Sequence, residues 1–235
     1  MAPGKIPITK KEGKKEMATK KEIVEMKAIE LKTVRIRIEG DSPLIMHAWS
    51  EKAKRMMLDA QMGKKAGKKK EPKSPARDFV DSLYWLEGKP EIPDDATEEE
   101  VMALYYEAVQ NGARFGFPST GLKQAAISAV YRMGWSKDKA SWRGAFFIEG
   151  EMLEIKSDTP EIREDMVRVG MGTADIRYRG QLNNWSTEFN LTYNVNGQYD
   201  LDAIVTAINA GGLLCGIGEW RPEKDGDFGR FHVAF

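Results

Sequence analysis

Residues 31–40 of the chain, LKTVRIRIEG, alternate between apolar and charged side chains over most of their length. From Val34 to Ile38 the period is two, which predicts a strand with one buried face that ends at Gly40. Once residues 41–117 are set aside, the rest of the chain follows the order strand, helix, strand pair, helix, strand. This order predicts an α+β domain of the ferredoxin-like βαββαβ type, the arrangement that RNA-recognition (RRM) folds use.

Both helices of this pattern have recognisable beginnings. The first lies in FPSTGLKQAAISAVYR, where Ser119 or Thr120 can serve as the N-cap. The second lies in DLDAIVTAINAGGLLCG, where Asp200 is the N-cap and glycine ends the helix. Residues 173–194 predict a long hairpin, and RFHVAF predicts the final strand.

Outside this pattern the chain is predicted to contain a tail and an insertion. Residues 1–28 are interpreted as a disordered basic tail, because the first 21 residues hold seven lysines and few apolar side chains. Residues 29–235 are expected to form one RRM-like domain, in which residues 41–117 are a mostly helical insertion. Helices are predicted within three stretches of the insertion, SEKAKRMMLDAQM, SPARDFVDSLYWLEG and TEEEVMALYYEAVQNG, the last of which opens with Thr97 as its N-cap.

Charge and rare residue types limit the classes of function. The 36 basic and 36 acidic residues cancel, so net charge gives no argument for an anionic partner. The lysine run from Lys64 to Lys73 is typical of a nucleic-acid tether or of a solvated loop. With one cysteine and two histidines, neither a disulfide nor an ordinary zinc site is expected, and no cofactor is predicted. No apolar run approaches the length of a membrane span, so we expect a cytoplasmic protein without a membrane partner.

A glycine-rich stretch, CGIGEWRPEKDGDFGRF (residues 215–231), separates the second helix from the last strand. It lacks the Gly-Lys-Ser/Thr ending of a P-loop and follows a helix rather than a strand, so a nucleotide-cofactor site fits poorly. Its glycines allow backbone N–H groups to approach phosphate oxygens, and Arg221 and Arg230 can clamp phosphates. Trp220 or Phe228 can stack on a base. The same residues equally fit a connector whose glycines only satisfy the geometry of turns.

Two motifs together resemble a known family. GIGEWRPEKDGDFGRFHV resembles the C-terminal glycine-rich loop of the RAMP superfamily, the RNA-binding proteins of CRISPR systems. FPSTGLKQAAISAVYR resembles the segment with which the backbone subunits of that family open their first RRM helix. The chain departs from the family at Gln124-Ala125, where Gly-Ala is usual, and in the longer, more acidic spacing between its glycine pairs. A distant relative outside CRISPR, from a phage or a mobile element, therefore also fits.

The resemblance implies a non-catalytic protein that binds single-stranded nucleic acid, with guide RNA favoured over DNA. It also implies that copies stack into a filament along the strand, with other effector subunits as further partners. Phosphates would meet the start of the first helix and the glycine-rich loop, and the lysine run would form an arm over the RNA or a target strand. The nucleic-acid-binding residues expected on this basis are Ser119, Thr120, Lys123, Arg132, Gly216, Gly218, Arg221, Lys224, Gly226, Gly229, Arg230, Lys68 and Lys69.

Two other functions stay open. His47 follows the first strand, roughly where processing ribonucleases of the resembled family often carry a catalytic histidine, and imidazole suits acid–base chemistry near neutral pH. The main alternative is therefore a metal-independent endoribonuclease that uses His47. Asp41 could support metal-dependent cleavage, as an acid near this loop does in some family backbones, but a single carboxylate does not define a metal site. The other alternative is a phage structural or interaction protein in which the glycine-rich loop is only a turn.

Aromatic side chains in two regions also allow two interpretations. Four of them fit either a base-stacking platform on the sheet or the core beneath it, namely Tyr178, Trp185, Phe189 and Tyr193. Trp135 and Trp142 stand among basic residues in GWSKDKASWRG. Single-strand binders expose such a composition, but loops anchored by a hydrophobic side chain have it as well.

Overall fold

The computed structural model describes residues 27–63, 73–169 and 172–234, apart from the side chains of residues 51, 52 and 169. The strands within these ranges are β1 (Leu31–Gly40), β2 (Leu44–Met46), β3 (Trp85–Glu87), β4 (Arg114–Pro118), β5 (Phe146–Ile148), β6 (Met152–Ile155), β7 (Glu161–Val169), β8 (Thr173–Leu182), β9 (Ser186–Asn194) and β10 (Phe231–Ala234). The α-helices are α1 (Glu51–Gln61), α2 (Pro75–Ser82), α3 (Glu98–Gln110), α4 (Ser119–Arg132), α5 (Lys139–Ala145) and α6 (Leu201–Leu214). The predicted α+β class is confirmed.

The largest sheet has β1 in its interior. β1 pairs with β9 from Leu31 to Glu39 and with β10 from Arg37 to Gly40, and β5 pairs with the other edge of β9. All of these pairings are antiparallel, and the strand order is β10-β1-β9-β5. Along the chain, these strands and the two helices that pack on them follow the order β1, α4, β5, β9, α6, β10.

The alternation seen in the sequence of β1 separates the two faces of this sheet. Ile36 and Ile38 are buried, whereas Arg35 and Arg37 are exposed on the opposite face, where both form ion pairs with Glu188. Helices α4 and α6 pack against each other, and they share one hydrophobic core with the buried face of the sheet. Burial of this apolar surface is the main favourable contribution to folding.

The predicted hairpin of residues 173–194 is wrong. β8 pairs with β7 and β2 in a separate three-stranded sheet, whereas β9 belongs to the large sheet. Between them the chain crosses from one sheet to the other at Asn184, which has a φ of +48°. The actual hairpin is formed by β7 and β8, whose pairing is supported by a cross-strand ion pair between Asp165 and Arg179.

The helix predicted in SPARDFVDSLYWLEG is only half right. It ends at Ser82, and the chain continues as β3, which pairs with β4 in a third sheet with β6. Trp85 is drawn into this strand because its ring lies 4.8 Å from that of Phe115 and its Nε1 donates to the Val80 carbonyl at 2.8 Å. Tertiary packing therefore overrides the local helix signal.

Predicted helix starts are confirmed for two helices and wrong for α4. Thr97 and Glu100 form a reciprocal capping box, and the Asp200 carboxylate accepts from the N–H of Ala203 at 2.8 Å. At α4 the N-cap is Pro118, and no side chain caps the helix. The hydroxyl of Ser119 instead donates to the Gly150 carbonyl at 2.6 Å, because this buried side chain lies against the turn between β5 and β6.

None of the six helices in the described ranges combines the length and the apolar character that crossing a bilayer requires.

Candidate nucleic-acid interface

The glycine-rich loop between α6 and β10 is held by its own backbone. The N–H of Ile217 donates to the Gly229 carbonyl at 2.9 Å, and the N–H of Phe228 donates to the Trp220 carbonyl at 3.0 Å. A short 3-10 turn over Pro222–Lys224 lies within the stretch that these two bonds enclose. The loop therefore has one defined conformation, which a flexible connector would not need.

The loop rests on the segment that follows β1. The N–H of Glu219 donates to the Ile45 carbonyl at 3.0 Å, and the N–H of Gly229 donates to the Pro43 carbonyl at 2.8 Å. The Arg230 N–H donates to the Ser42 hydroxyl at 3.0 Å. Residues 42–45 are thus the seat of the loop, a role that no sequence pattern indicated.

The loop glycines are required by close backbone packing. A Cβ on Gly229 would lie 1.8 Å from the Ile217 carbonyl oxygen, and one on Gly226 would lie 1.9 Å from that of Trp220. The N–H groups of Gly216, Gly226 and Gly229 donate to carbonyls within the protein. Of the four predicted glycines, only Gly218 has an N–H without a hydrogen-bond partner among the described residues.

The three predicted cations of the loop differ in how many of their donor groups already have partners within the protein. Arg221 is half-buried and donates to the Gly218 carbonyl at 2.9 Å and to the Glu223 carboxylate at 3.2 Å. The Arg230 side chain makes one hydrogen bond within the described part of the chain, from its Nε to the Asp227 carbonyl at 3.1 Å. Lys224 is exposed at the end of the 3-10 turn. Arg230 and Lys224 therefore offer more to a ligand than Arg221 does.

The residues predicted at the start of α4 lie apart from the loop cations. Thr120 is exposed, while the Nζ of Lys123 lies 4.6 Å from the centre of the Phe147 ring, and burial lowers the pKa of this amine. The 14-residue helix separates Ser119 from Arg132 by about 20 Å, since each residue adds about 1.5 Å. One ligand would have to span this distance to meet both groups.

At its C-terminal end, α4 meets the loop. The Nη2 of Arg132 lies 3.3 Å from Oε1 of Glu223, whose other oxygen accepts from Arg221. Burial alone would raise the pKa of Glu223, but the hydrogen bond and charge of Arg221, with the charge of Arg132, lower it below its ordinary value. Tyr131 and Trp135, which stand before and after Arg132 in the sequence, are exposed, and the Nζ of Lys139 lies 4.2 Å from the centre of the Tyr131 ring.

A buried ionic network lies beneath the loop, and none of its residues was predicted from the sequence. The side chain of Arg179 is 3% exposed, and its Nη1 lies 3.1 Å from the Asp165 carboxylate. Its Nη2 lies 3.5 Å from Glu219 of the loop, while its buried Nε has no partner among the described residues. Charged residues at the alternate positions Asp175, Arg177 and Arg179 of β8 were the available signal, but alternation alone does not tell which face is buried.

Both histidines have carboxylate partners. The Nδ1 of His47 lies 3.8 Å from Oε1 of Glu219, which is an electrostatic contact rather than a hydrogen bond. The Nδ1 of His232 lies 2.7 Å from Oδ1 of Asp41, on the exposed surface. In the described ranges, no three His, Cys, Asp or Glu side chains are grouped as metal ligands.

Glu219 should make the stability of the protein sensitive to acid. Its pKa is lowered by the interaction with His47 and by the charge of Arg179, although burial acts in the opposite direction. Ionised Glu219 therefore contributes stability above its ordinary pKa of 4.5, and this contribution is lost as the pH falls through the lower folded-state pKa. In urea unfolding between pH 5 and 3, Glu219→Gln should lose less stability than the native protein. Glu91→Gln, at an exposed loop position, is the control, and equal curves for Glu219→Gln and the native protein would contradict the assignment.

Several other candidates are buried or lie outside the described residues. Trp185, Phe189 and Tyr193 belong to the core, so they do not form a stacking platform on the sheet. Trp142 is also buried and stacks on Tyr199, with ring centres 4.0 Å apart. Lys68 and Lys69, like most of the predicted basic tail, lie outside the described residues.

Neither a family model nor a curated protein matches the sequence. Among solved structures, the chain is similar to a crystal structure of Cmr6 from Pyrococcus furiosus, with 10% sequence identity and a TM-score of 0.35. The match covers 88% of this chain and 100% of that chain. A TM-score of this size does not establish a shared fold.

Proposed function

We propose that this chain is a non-catalytic protein that binds single-stranded nucleic acid, most favourably RNA, on a RAMP-like domain of the ferredoxin-like type. The contact between Arg132 and Glu223 carries the proposal, because it joins two segments 91 residues apart into one surface. Arg132, Lys139 and Lys224 place their cationic groups around this contact, and Tyr131 and Trp135 add exposed rings. Cations interleaved with aromatic rings are the usual means of holding a single strand without sequence readout.

The topology supports the ferredoxin-like part of the proposal. In a βαββαβ chain of this type, the first and the last strand along the chain pair with each other, and the two helices cover one face of the sheet. The order β10-β1-β9-β5 has this property, because β1 and β10 are neighbours and α4 and α6 pack together. The helices and strands between residues 41 and 117 are then an elaboration after the first strand.

The internal bonds of the loop define its role in this proposal. Its glycine N–H groups are largely occupied, so the loop supports the surface more than it cradles phosphates. Among the predicted cations and glycine N–H groups of the loop, Lys224, Arg230 and the N–H of Gly218 remain most available for phosphate oxygens. The start of α4, with Thr120 and Lys123, would contact a strand only if the strand extends along the helix.

A binding experiment tests the proposal. A fluorescent 30-mer RNA should bind the native protein at low salt, and its affinity should fall steeply with salt because phosphate contacts release counterions. The triple variant Arg132→Ala, Lys139→Ala, Lys224→Ala should bind on the order of 10- to 100-fold more weakly, and its salt slope should fall by about one for each lost contact. Fluorescence anisotropy at several salt concentrations measures both quantities.

A matched control removes the same number of cations elsewhere. Lys27→Ala, Lys32→Ala and Lys89→Ala together should leave the affinity close to native, since these exposed lysines lie away from the loop. If neither the RNA nor the DNA of the same sequence binds at low salt, the proposed function is wrong. Particle images of the bound mixtures report whether copies assemble along the strand, as the proposal includes.

The contact of His47 with Glu219 favours one alternative, a metal-independent endoribonuclease, because a carboxylate can orient an imidazole for acid–base chemistry. Glu219 is shared with the buried Arg179, however, and this gives the carboxylate a structural role. The binding mixtures should contain EDTA and should return the labelled RNA intact. Cleavage by the native protein that His47→Ala abolishes would instead favour the alternative.

A further inference from the structure

We propose that a base of the bound strand stacks on Trp135, and that Arg132 and Lys139 hold the adjacent phosphates. The inference rests on the proposed function and names the residue that contacts the bases. Trp135 is 49% exposed, although tryptophan is a residue that proteins usually bury. Trp135 is therefore accessible for stacking on a base.

Trp135 is exposed on a segment that is fastened at both ends. On the N-terminal side, Gly134 turns the chain with a φ of +69°, and the N–H of Trp135 donates to the Val130 carbonyl at 3.1 Å. After it, Asp138 caps α5 by accepting from the N–H groups of Ala140 and Ser141. The exposure of the indole is thus a property of an ordered turn, so binding costs little additional ordering entropy.

The second tryptophan of this segment, Trp142, anchors the segment to the core, and this leaves Trp135 available to a ligand. Trp142 is buried and stacks on Tyr199, and Ser141 shares a hydrogen bond with the Tyr199 hydroxyl at 2.8 Å. These contacts anchor α5 to the residue next to the cap of α6. Trp135 contributes nothing comparable to the core, so anchoring the loop does not account for it.

Two cations flank Trp135 in the sequence, and both are positioned by other side chains. Arg132 is directed by Glu223 of the loop, and Lys139 by the Tyr131 ring, which its Nζ meets at 4.2 Å. Both lie near the end of α4 from which Trp135 projects. A strand with a base stacked on the indole would therefore have two cations at the same end of α4 for its neighbouring phosphates.

The large sheet does not offer the same chemistry. Its exposed face carries Arg35 and Arg37, whose charges are balanced by ion pairs with Glu188 and Glu39. Phe147, at the edge strand, is the large aromatic side chain exposed on the described strands of this sheet. RRM folds stack bases on aromatic side chains of their sheet. In this chain, the end of α4 offers the better position for stacking.

A comparison of two probes isolates the stacking contribution. A 30-nucleotide oligouridine and an abasic 30-mer carry the same phosphates but differ in their bases. The native protein should bind oligouridine about 5- to 150-fold more tightly, because stacking contributes on the order of 1–3 kcal/mol per base. Trp135→Ala should lower this ratio towards one without changing the salt slope, and Trp135→Phe should restore part of it. Anisotropy titrations at several salt concentrations give the ratio and the slope.

Trp49→Ala is the matched control, since Trp49 is 64% exposed beside α1 and should leave the ratio unchanged. Binding with equal affinity for both probes, or an unchanged ratio in Trp135→Ala, would overturn the stacking while the proposed function stands. If neither probe binds, both the proposed function and the proposed stacking are wrong. Circular dichroism spectra of the variants should match the native spectrum, because the substituted side chains are exposed.

Discussion

Gly229→Ala should destabilise the protein by about 4 kcal/mol or more, which is an exceptional cost for adding one methyl group. The new Cβ would lie 1.8 Å from the Ile217 carbonyl oxygen, where no flexible side chain can give way. The residue also has a φ of +65°, which disfavours any side chain. Urea unfolding followed by tryptophan fluorescence gives the change in the free energy of unfolding.

Gly134→Ala separates the two causes of this cost. Gly134 has a similar φ of +69°, but a Cβ at this position would have no neighbouring atom of the described residues within 4 Å. Its substitution should therefore show only the conformational cost, about 1 kcal/mol. Equal losses for the two variants would mean that the loop backbone does not pack as closely as the structure has it.

Asp165→Ala should cost about 3–4 kcal/mol, because it removes the nearest counter-ion of a buried guanidinium. Arg179 would keep only the more distant contact with Glu219, at 3.5 Å. Asp175→Ala is the control, since the exposed pair of Asp175 with Lys73 should contribute less than about 1 kcal/mol. Both values come from chemical unfolding at neutral pH.

A double substitution tests whether charge or packing is responsible. Asp165→Leu with Arg179→Met replaces the buried pair by apolar side chains, and it should be less destabilised than Asp165→Ala because no buried guanidinium is left without its counter-ion. If Asp165→Ala costs no more than Asp175→Ala, the network beneath the loop does not stabilise the fold.

The parts of the fold that the sequence predicts are those decided by neighbouring residues. The alternation in β1 and the caps at Thr97 and Asp200 depend on side chains a few positions apart, and they are found as expected. The partner of β8 depends on which of its faces is buried and against what, and the strand pattern does not contain that information. Trp85 lies in a strand and not in the predicted helix for a similar reason, because its packing partner Phe115 lies far along the chain.

For the candidate interface, the sequence identifies the segments better than the roles within them. The resemblance singles out the loop and α4, and Arg132 and Glu223 do bring these two segments into contact. It does not show that the loop glycines make room for carbonyls of the loop itself. Nor does it show that Arg221 binds a carboxylate two residues away, because that pairing depends on the 3-10 turn. The roles of Arg179 and Asp165 became apparent only from which face of β8 is buried.

The seat of the glycine-rich loop has a consequence for how the chain can diversify. Residues 42–45 stand at the entrance to the segment between β1 and α4, and three backbone or hydroxyl contacts from the loop fix them. At the exit, Ser119 is fixed by its N–H to the Glu151 carbonyl and by its hydroxyl to Gly150. The segment is therefore held by hydrogen bonds at both of its ends. Because its strands pair with β8 and β6 and its apolar side chains belong to the common core, changes in length are expected in its connecting loops, at modest entropic cost, while the surface formed by α4 and the loop keeps its shape.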